Sequence, residues 1–118
     1  MKILVVDDYE SAAFVTGHMF EMMGHDVALA YSGKEALKEA DEFKPDLILL
    51  DIGMPEMDGL ETCKRLKQNE SLKNTRIIAQ TGHGDDEIIE ACEEVGFNQH
   101  LLKPVEIKQI QEILNSMN

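Results

Sequence analysis

The sequence predicts an α/β fold in which a doubly wound, five-stranded parallel sheet carries helices on both faces. Two observations lead to this prediction. Short apolar runs alternate five times with longer stretches that have the period of a helix. The apolar runs are continuous rather than interleaved with polar residues, which is typical of strands covered on both faces. No linker, low-complexity segment or repeat interrupts the 118 residues, so a single domain spanning residues 1–118 is expected.

The five apolar runs are the predicted strands. They are expected at Ile3–Val6, Val27–Ala30, Leu47–Leu50, Arg76–Gln80 and His100–Leu102. Two doubly wound strand orders are common, and a sheet of five strands favours the order 2-1-3-4-5, which is called flavodoxin-like.

The stretches between and after the strands are the predicted helices. They are expected at Glu10–Met23, Gly33–Glu42, Leu60–Gln68, Asp85–Val95 and Glu106–Met117. Gly24 and Gly96 are predicted to end the first and fourth of these helices. Ser32 and Asp85 are predicted N-caps, and Glu35 stands where it would complete a capping box with Ser32.

Charge and cysteine content narrow the class of protein. The chain has 11 basic and 23 acidic residues and a formal net charge of −12, which argues against binding to nucleic acid or anionic membranes and favours cations or basic protein partners. No apolar run approaches the roughly 18 residues of a membrane span, and the N-terminus lacks the features of a signal peptide. Cys63 and Cys92 form no CxxC motif, so reduced, mostly buried thiols in a cytoplasmic protein are expected rather than a disulfide.

Polar side chains follow four of the predicted strands at their carboxyl ends. Asp7 and Asp8 follow the first strand, Asp51 the third, Thr81 the fourth and Lys103 the fifth. In an open α/β sheet, sites form beyond the carboxyl ends of the strands where the strand order reverses, here between strands 1 and 3. We therefore expect the three carboxylates to converge, with Thr81 and Lys103 approaching from the other side. Each residue alone also fits a turn, a helix cap or a solvated charge, but independent caps need not fall at four different strand ends.

These residue types indicate an acceptor site for a transferred phosphoryl group. Three carboxylates in one cleft repel one another unless a cation lies among them, and hard oxygen ligands with open positions suit Mg²⁺, with Mn²⁺ as an alternative. The Lys103 ammonium and the Thr81 hydroxyl can hold phosphoryl oxygens. Asp51 is then the expected nucleophile, and Gly53 lets the backbone pass close to the ion, which makes its carbonyl a candidate ligand.

Four segments, in order and at the usual spacing, resemble the receiver domain of two-component response regulators in its chemotaxis-regulator-like form. They are ILVVDD, DLILLDIGMPEMDG, IIAQTGHG and GFNQHLLKPV. The resemblance implies that Asp51 accepts a phosphoryl group from the phosphohistidine of a sensor histidine kinase or a histidine-phosphotransfer protein. The signal would then be switched or relayed to a downstream target protein. Asp8, Asp51 and the Gly53 carbonyl would bind Mg²⁺ directly, and Asp7 would bind it through water.

The resemblance also implies a switch. Thr81 and Lys103 would hold the oxygens of the phosphoryl group, and the Lys103–Pro104 peptide bond would be cis. His100 stands where the family usually has a Tyr or Phe that turns inward, and Gly82 stands where Ala is common. These two departures predict a weaker or pH-sensitive switch rather than a loss of phosphorylation.

The first predicted helix carries charge only at its ends, Glu10 and Glu21. If one apolar stripe faces the sheet, another is left near solvent and suggests a docking surface for the phosphotransfer partner. The residues expected to face the sheet are Val15, Thr16, Met19 and Met23, and those expected near solvent are Ala13, Phe14, Gly17 and Met22. In this interpretation Gly17 lets a partner helix approach closely. The alternative is that Phe14 folds back onto its neighbours.

Other functions fit the sequence less well. An aspartyl-phosphate hydrolase typically has a second acid two residues after the nucleophile, where this chain has Gly53, so a multiple-turnover enzyme is not expected. A flavin-binding module would need phosphate donors after strand 1, where Asp7 and Asp8 repel phosphate. His18, His25 and His83 lack ligand spacing, and His83 is expected to be an exposed loop residue or to tune the site. Because no output domain follows the last helix, a stand-alone regulator and a part of a longer protein both remain open.

Overall fold

The computed structural model describes residues 1–82, 84 and 86–117 of the chain. Five parallel strands form one sheet in the order β2-β1-β3-β4-β5, which confirms the predicted fold class and strand order. The strands are β1 Lys2–Val6, β2 Asp26–Ala30, β3 Leu47–Asp51, β4 Arg76–Thr81 and β5 Gln99–Leu102. The helices are α1 Glu10–Met22, α2 Gly33–Phe43, α3 Gly59–Lys67, α4 Asp86–Val95 and α5 Ile107–Ser116, with a short 3-10 helix at Glu70–Leu72.

The sheet has an apolar core on each face because successive side chains of a strand point to opposite sides. On one face, Ile3 and Val5 of β1 pack with α1 and α5. On the other face, Leu4 and Val6 pack with α2, α3 and α4. Burial on both faces explains why the strands are apolar without alternation. Within the described residues, no helix is both long enough and apolar enough to cross a bilayer.

The helix ends follow the predicted signals with one shift. Gly24 and Gly96 have positive φ angles of 91° and 101°, the backbone conformation that often ends an α-helix and that glycine adopts without strain. The Ser32 hydroxyl accepts a hydrogen bond from the Glu35 backbone N–H at 3.1 Å, which confirms this cap. The Glu35 carboxylate accepts from the Tyr31 N–H at 3.4 Å, one residue before the position that a capping box requires.

Two further sequence predictions concern caps and thiols. The predicted N-cap Asp85 and the loop residue His83 lie outside the described residues.

Cys63 and Cys92 are both buried free thiols, and burial raises the pKa of Cys63 to about 11. Thiols of this kind are poor nucleophiles at neutral pH.

The orientation predicted for α1 is wrong in part. Ala13, Gly17 and Phe20 are buried against the sheet, whereas Val15 is 58% exposed. A Cβ atom added to Gly17 would lie 2.8 Å from a methyl carbon of Leu29 in β2, so the glycine lets α1 approach its own sheet rather than a partner. Phe14 and Met22 are exposed, as predicted. Thr16, Met19 and Met23, which were predicted to face the sheet, are half-buried.

The prediction for α1 was wrong because two of its three buried positions hold very small residues, Ala13 and Gly17. Ala13, Gly17 and Phe20 are spaced by four and three, so they share one side of the helix. A hydrophobicity pattern favours large side chains for the core, but a short distance between helix and sheet selects small ones.

Candidate functional site

The three carboxylates predicted from the sequence come together beyond the ends of β1 and β3. Ligand oxygens of Asp7, Asp8 and Asp51 all lie within 4.8 Å of one another. Asp7 and Asp51 are buried, and Asp8 is exposed. The register explains this meeting, because Val6 of β1 lies opposite Leu50 of β3, one residue before each acid.

Lys103 joins two of the acids. Its Nζ lies 3.0 Å from Asp7 Oδ2 and 3.0 Å from Asp51 Oδ2. The side chain of Lys103 is 31% exposed and lines the same cleft as the acids. The Lys103–Pro104 peptide bond is cis, as predicted.

Backbone amides hold the remaining carboxylate oxygens. Asp7 Oδ1 accepts a hydrogen bond from the Tyr9 N–H at 3.0 Å, and Asp51 Oδ1 accepts one from the Gly53 N–H at 3.1 Å. Each acid therefore has one oxygen held by the backbone two residues further on and one held by Lys103. This arrangement fixes the direction of both carboxylates before any ligand arrives.

The segment after β3 folds back over the strand end. The N–H groups of Met54 and Gly59 both donate to the Ile52 carbonyl, at 3.1 and 3.0 Å. Asp58 caps α3 by accepting from the Glu61 N–H at 2.9 Å, a cap that the sequence analysis missed. A Cβ atom added to Gly59 would lie 2.7 Å from the Cα of Ile52, so only glycine lets α3 begin this close to the site.

Thr81, the last residue of β4, completes the cleft from the other side of the sheet. It is buried and lines a cleft of about 330 Å³ together with the carboxylates, Lys103 and Gly53. Side chains two residues apart along a strand direction point to the same face of the sheet. By this rule, the face covered by α1 and α5 (the α1/α5 side) carries Asp7, Asp51 and Lys103, because Val5, Leu49 and Leu101 belong to the core on that face. Thr81 belongs to the opposite face, because Ala79 lies in the other core. The cleft is thus lined from both faces of the sheet.

Among the predicted site residues that the structure describes, His100 alone lies outside this cleft. It lies within β5 opposite Ala79 of β4 and is half-buried. Gly82 does line the cleft, and a Cβ atom added to it would meet no atom within 4 Å. The space that an alanine would use at this position is therefore free within the described part of the chain.

Gln80 is a site residue for which the sequence pattern predicted only the end of a strand. It is 2% exposed, and its Nε2 donates to Asp7 Oδ2 at 3.4 Å. The signal that could have found it is an amide placed in an otherwise apolar run, IIAQ. A buried amide needs a hydrogen-bond partner, and an adjacent acid at the same sheet edge supplies one.

The donor set fits a hard divalent cation. Octahedral Mg²⁺ has its oxygen ligands at about 2.0–2.1 Å, which places them within roughly 4.2 Å of one another, close to the spread of the three carboxylates. Gly53 lines the cleft, and a Cβ atom added to it would meet no atom within 4 Å apart from its chain neighbours. Asp7, Asp8, Asp51 and the Gly53 carbonyl are the groups that could hold the ion.

The titration properties of the site follow from burial and charge. Burial raises the pKa of the Asp51 carboxyl above its ordinary value; Lys103 offsets part of this rise, and the charge of Asp7 adds to it. Burial lowers the pKa of Lys103, but its hydrogen bonds to and the charges of Asp7 and Asp51 together raise it above the ordinary value. One ammonium therefore does not balance the acids, and the site favours an additional cation.

Asp51→Asn should stabilise the protein at neutral pH in the presence of EDTA. The pKa of Asp51 is higher in the folded than in the unfolded state, so ionising this carboxyl lowers the free energy of unfolding. This destabilisation is absent at pH values below the unfolded-state pKa and is complete above the folded-state pKa. We expect a gain of about 1 kcal/mol in the free energy of unfolding, which disappears as the pH falls through the raised pKa. Urea unfolding at neutral and acidic pH measures this difference.

The matched control is Asp46→Asn, an exposed acid just before β3 at the opposite edge of the sheet. It should give no comparable gain. A less stable Asp51→Asn variant at neutral pH would contradict the electrostatic account.

Comparison with known proteins agrees with this geometry. Residues 3–115 match the sequence profile of the response regulator receiver domain. The chain is 37% identical over 109 residues to the alkaline phosphatase synthesis transcriptional regulatory protein PhoP of Bacillus subtilis, covering 92% of this chain and 45% of that protein. It is 35% identical over 111 residues to the sporulation initiation phosphotransferase F of the same species, covering 94% of this chain and 88% of that protein. The chain therefore spans less than half the length of the first relative and most of the second.

A solved structure with the same architecture is that of the Vibrio cholerae chemotaxis protein CheY4. The two chains superimpose with a TM-score of 0.92 at 30% sequence identity, covering 99% of this chain and 98% of that one. The profile match extends over nearly the whole chain and includes every acid of the cleft as well as Lys103. This chain belongs to the receiver-domain family of two-component response regulators.

Proposed function

We propose that this chain is a phosphoacceptor that takes a phosphoryl group from the phosphohistidine of a partner onto Asp51 in the presence of Mg²⁺. The partner is a sensor histidine kinase or a histidine-phosphotransfer protein, and the signal is then switched or relayed to a downstream target. The observation that carries the proposal is the meeting of three carboxylates, Lys103 and Thr81 in one cleft.

The transfer is a displacement at phosphorus. One carboxylate oxygen of Asp51 forms a bond to phosphorus while the bond from phosphorus to the donor's imidazole nitrogen breaks, and the imidazole leaves with its electron pair. The Gly53 N–H, which holds Asp51 Oδ1, keeps the carboxylate aimed into the cleft. Lys103 moves from the two acids to an oxygen of the phosphoryl group, and the Thr81 hydroxyl donates to another.

Mg²⁺ would neutralise the charge that repels an incoming phosphoryl group. Asp8, Asp51 and the Gly53 carbonyl would hold it directly, and Asp7 would hold it through water. Mn²⁺ could replace it, because the same carboxylate, carbonyl and water ligands suit both ions.

The cleft supports a switch better than a turnover enzyme. Among its described lining residues, the acids are Asp7, Asp8 and Asp51, and all three already have roles in holding the ion or accepting the group. The position two residues after Asp51 is Gly53, which offers no general acid. The aspartyl phosphate would therefore persist long enough to act as a signal.

His100 would report phosphorylation through β5. Thr81 of β4 lies opposite Leu102 of β5, and His100 is two residues before Leu102. When Thr81 moves toward the phosphoryl group, the half-buried His100 would turn inward beside β4. With an imidazole at this position instead of the usual Tyr or Phe, the shift is expected to be weaker or to differ between about pH 5.5 and about pH 8. NMR shifts of β4 and β5 that respond equally to phosphorylation at both pH values would remove the pH dependence from this proposal.

The exposed part of α1 supports docking of the phosphotransfer partner. Phe14, Val15 and Met22 are 63%, 58% and 73% exposed, and Tyr9, just before α1, is 68% exposed and lines the cleft. The Phe14 ring stacks on His18 with ring centroids 6.0 Å apart, but it stays on the surface rather than folding onto the core. Val15 lines one groove together with Asp7 and Lys103, so a partner bound at this apolar surface would bring its phosphohistidine near Asp51.

Asp51 should be the only phosphorylated residue. With Mg²⁺ and acetyl phosphate, the wild type should gain the mass of one phosphoryl group, and Asp51→Asn should gain none, because the amide lacks the nucleophilic oxygen. Intact-protein mass spectrometry measures the gain. Asp46→Asn serves as the matched control and should label like the wild type. A wild type whose mass stays unchanged would end the proposal.

Phe14→Glu should slow transfer from a protein donor by about tenfold or more, because a charge at the centre of an apolar contact opposes docking. Labelling by acetyl phosphate should be unaffected, because the cleft itself is intact. The donor is a histidine-phosphotransfer protein that phosphorylates the wild type, and transfer is followed by loss of label from the donor.

Ile107→Glu provides a matched control, because Ile107 is also about half exposed but begins α5. It should transfer at the wild-type rate. An equal loss of labelling by protein and by acetyl phosphate in Phe14→Glu would contradict a role in docking.

A further inference from the structure

Gln80 is an amide buried at the end of an apolar strand. It is 2% exposed and follows Ile77, Ile78 and Ala79, which are also buried. Burying an amide without a hydrogen bond destabilises the folded protein, so the side chain needs a partner. Its partner is Asp7, because Gln80 Nε2 lies 3.4 Å from Asp7 Oδ2. A carboxylate oxygen only accepts hydrogen bonds, so the amide nitrogen must face it.

The sheet holds Gln80 rigidly beside the phosphoacceptor. Gln80 lies opposite Asp51 in the β3–β4 register, and its carbonyl accepts a hydrogen bond from the Ile52 N–H at 3.0 Å. Its side chain lines a groove that also includes Asp7, Lys103 and, from α1, Thr16 and Met19. A donor placed on a central strand is more precise than one on a loop.

Lys103 and Gln80 hold the same oxygen of Asp7. Lys103 Nζ is 3.0 Å from Asp7 Oδ2, and the same ammonium also pairs with Asp51. If Lys103 moves to a phosphoryl oxygen, Asp7 Oδ2 loses that ion pair. Among the contacts within the described ranges, the Gln80 amide is then the donor that remains on this oxygen.

We infer that Gln80 is a positioning residue that keeps the Asp7 carboxylate oriented toward the bound cation, independently of where Lys103 lies. The inference rests on the proposed function, since it assigns to Gln80 a role at the same cation site. Outer hydrogen-bond partners of ligating carboxylates fix the ligand's direction, and their loss typically lowers metal affinity about 10- to 100-fold.

The test is the Mg²⁺ affinity of Gln80→Met, measured by isothermal titration calorimetry on the unphosphorylated protein. Methionine has a similar length and fills the same apolar surroundings, but it has no N–H donor. We expect about tenfold weaker Mg²⁺ binding. Gln80→Leu, which also lacks a donor, provides a second variant, and thermal unfolding checks that each is folded.

Thr75→Val is the matched control. The buried Thr75 hydroxyl donates to the Pro45 carbonyl at 2.7 Å, just before β4 and at the opposite edge of the sheet from the cleft. This variant also loses a buried donor next to the same strand. Its Mg²⁺ affinity should stay within about twofold of the wild type even if its melting temperature falls.

The Asp7→Ala background separates positioning from packing. If Gln80 acts through Asp7, Gln80→Met should cause no further loss of Mg²⁺ affinity in this background. The same fold-loss with and without Asp7 would overturn the inference, as would wild-type affinity in folded Gln80→Met or Gln80→Leu. A wild type that binds no Mg²⁺ would overturn the proposed function together with the inference, whereas normal wild-type binding with unaffected variants would overturn the inference alone.

Discussion

The structure depends on the balance between three clustered carboxylates and one ammonium. Asp7 and Asp51 are buried, and their ionised forms are tolerated because Lys103 and two backbone N–H groups hold their oxygens. The balance is incomplete, because three acids face one ammonium, and burial together with the charge of Asp7 keeps the pKa of Asp51 above its ordinary value. A site with excess negative charge and preset oxygen directions favours a small divalent cation, and that cation would in turn release Lys103 for an anionic ligand.

The parallel sheet brings these charged groups together without interrupting its apolar core. All five strands end at the same edge, so polar residues can converge there while the strands themselves stay apolar and buried on both faces. The two faces contribute different chemistry. Asp7, Asp51, Gln80 and Lys103 belong to the α1/α5 side, and Thr81 belongs to the opposite side. A movement of Thr81 toward the cleft would therefore change the packing of α4 and β5 rather than the packing of α1.

The packing of α1 separates two roles along one helix. Its small residues, Ala13 and Gly17, let the helix lie close to the sheet, and this close approach leaves its larger residues Phe14, Val15 and Met22 on the surface. Val15 on this exposed side lines one groove together with Asp7 and Lys103, so the surface of α1 lies next to the site. A partner bound there would meet the phosphoacceptor without disturbing the core.

The sequence by itself determined the fold class, the strand order and the acids, threonine and lysine of the cleft. These features depend on local patterns, namely apolar runs, helix periodicity and polar residues at strand ends, and the family resemblance supplied their expected roles. Only the tertiary structure decided the orientation of α1, the contact of Gln80 with Asp7 and the bridging position of Lys103. Each of these depends on distances between segments far apart in the chain. A hydrophobicity pattern carries no information on how closely a helix approaches its sheet or on whether one ammonium contacts two acids at once.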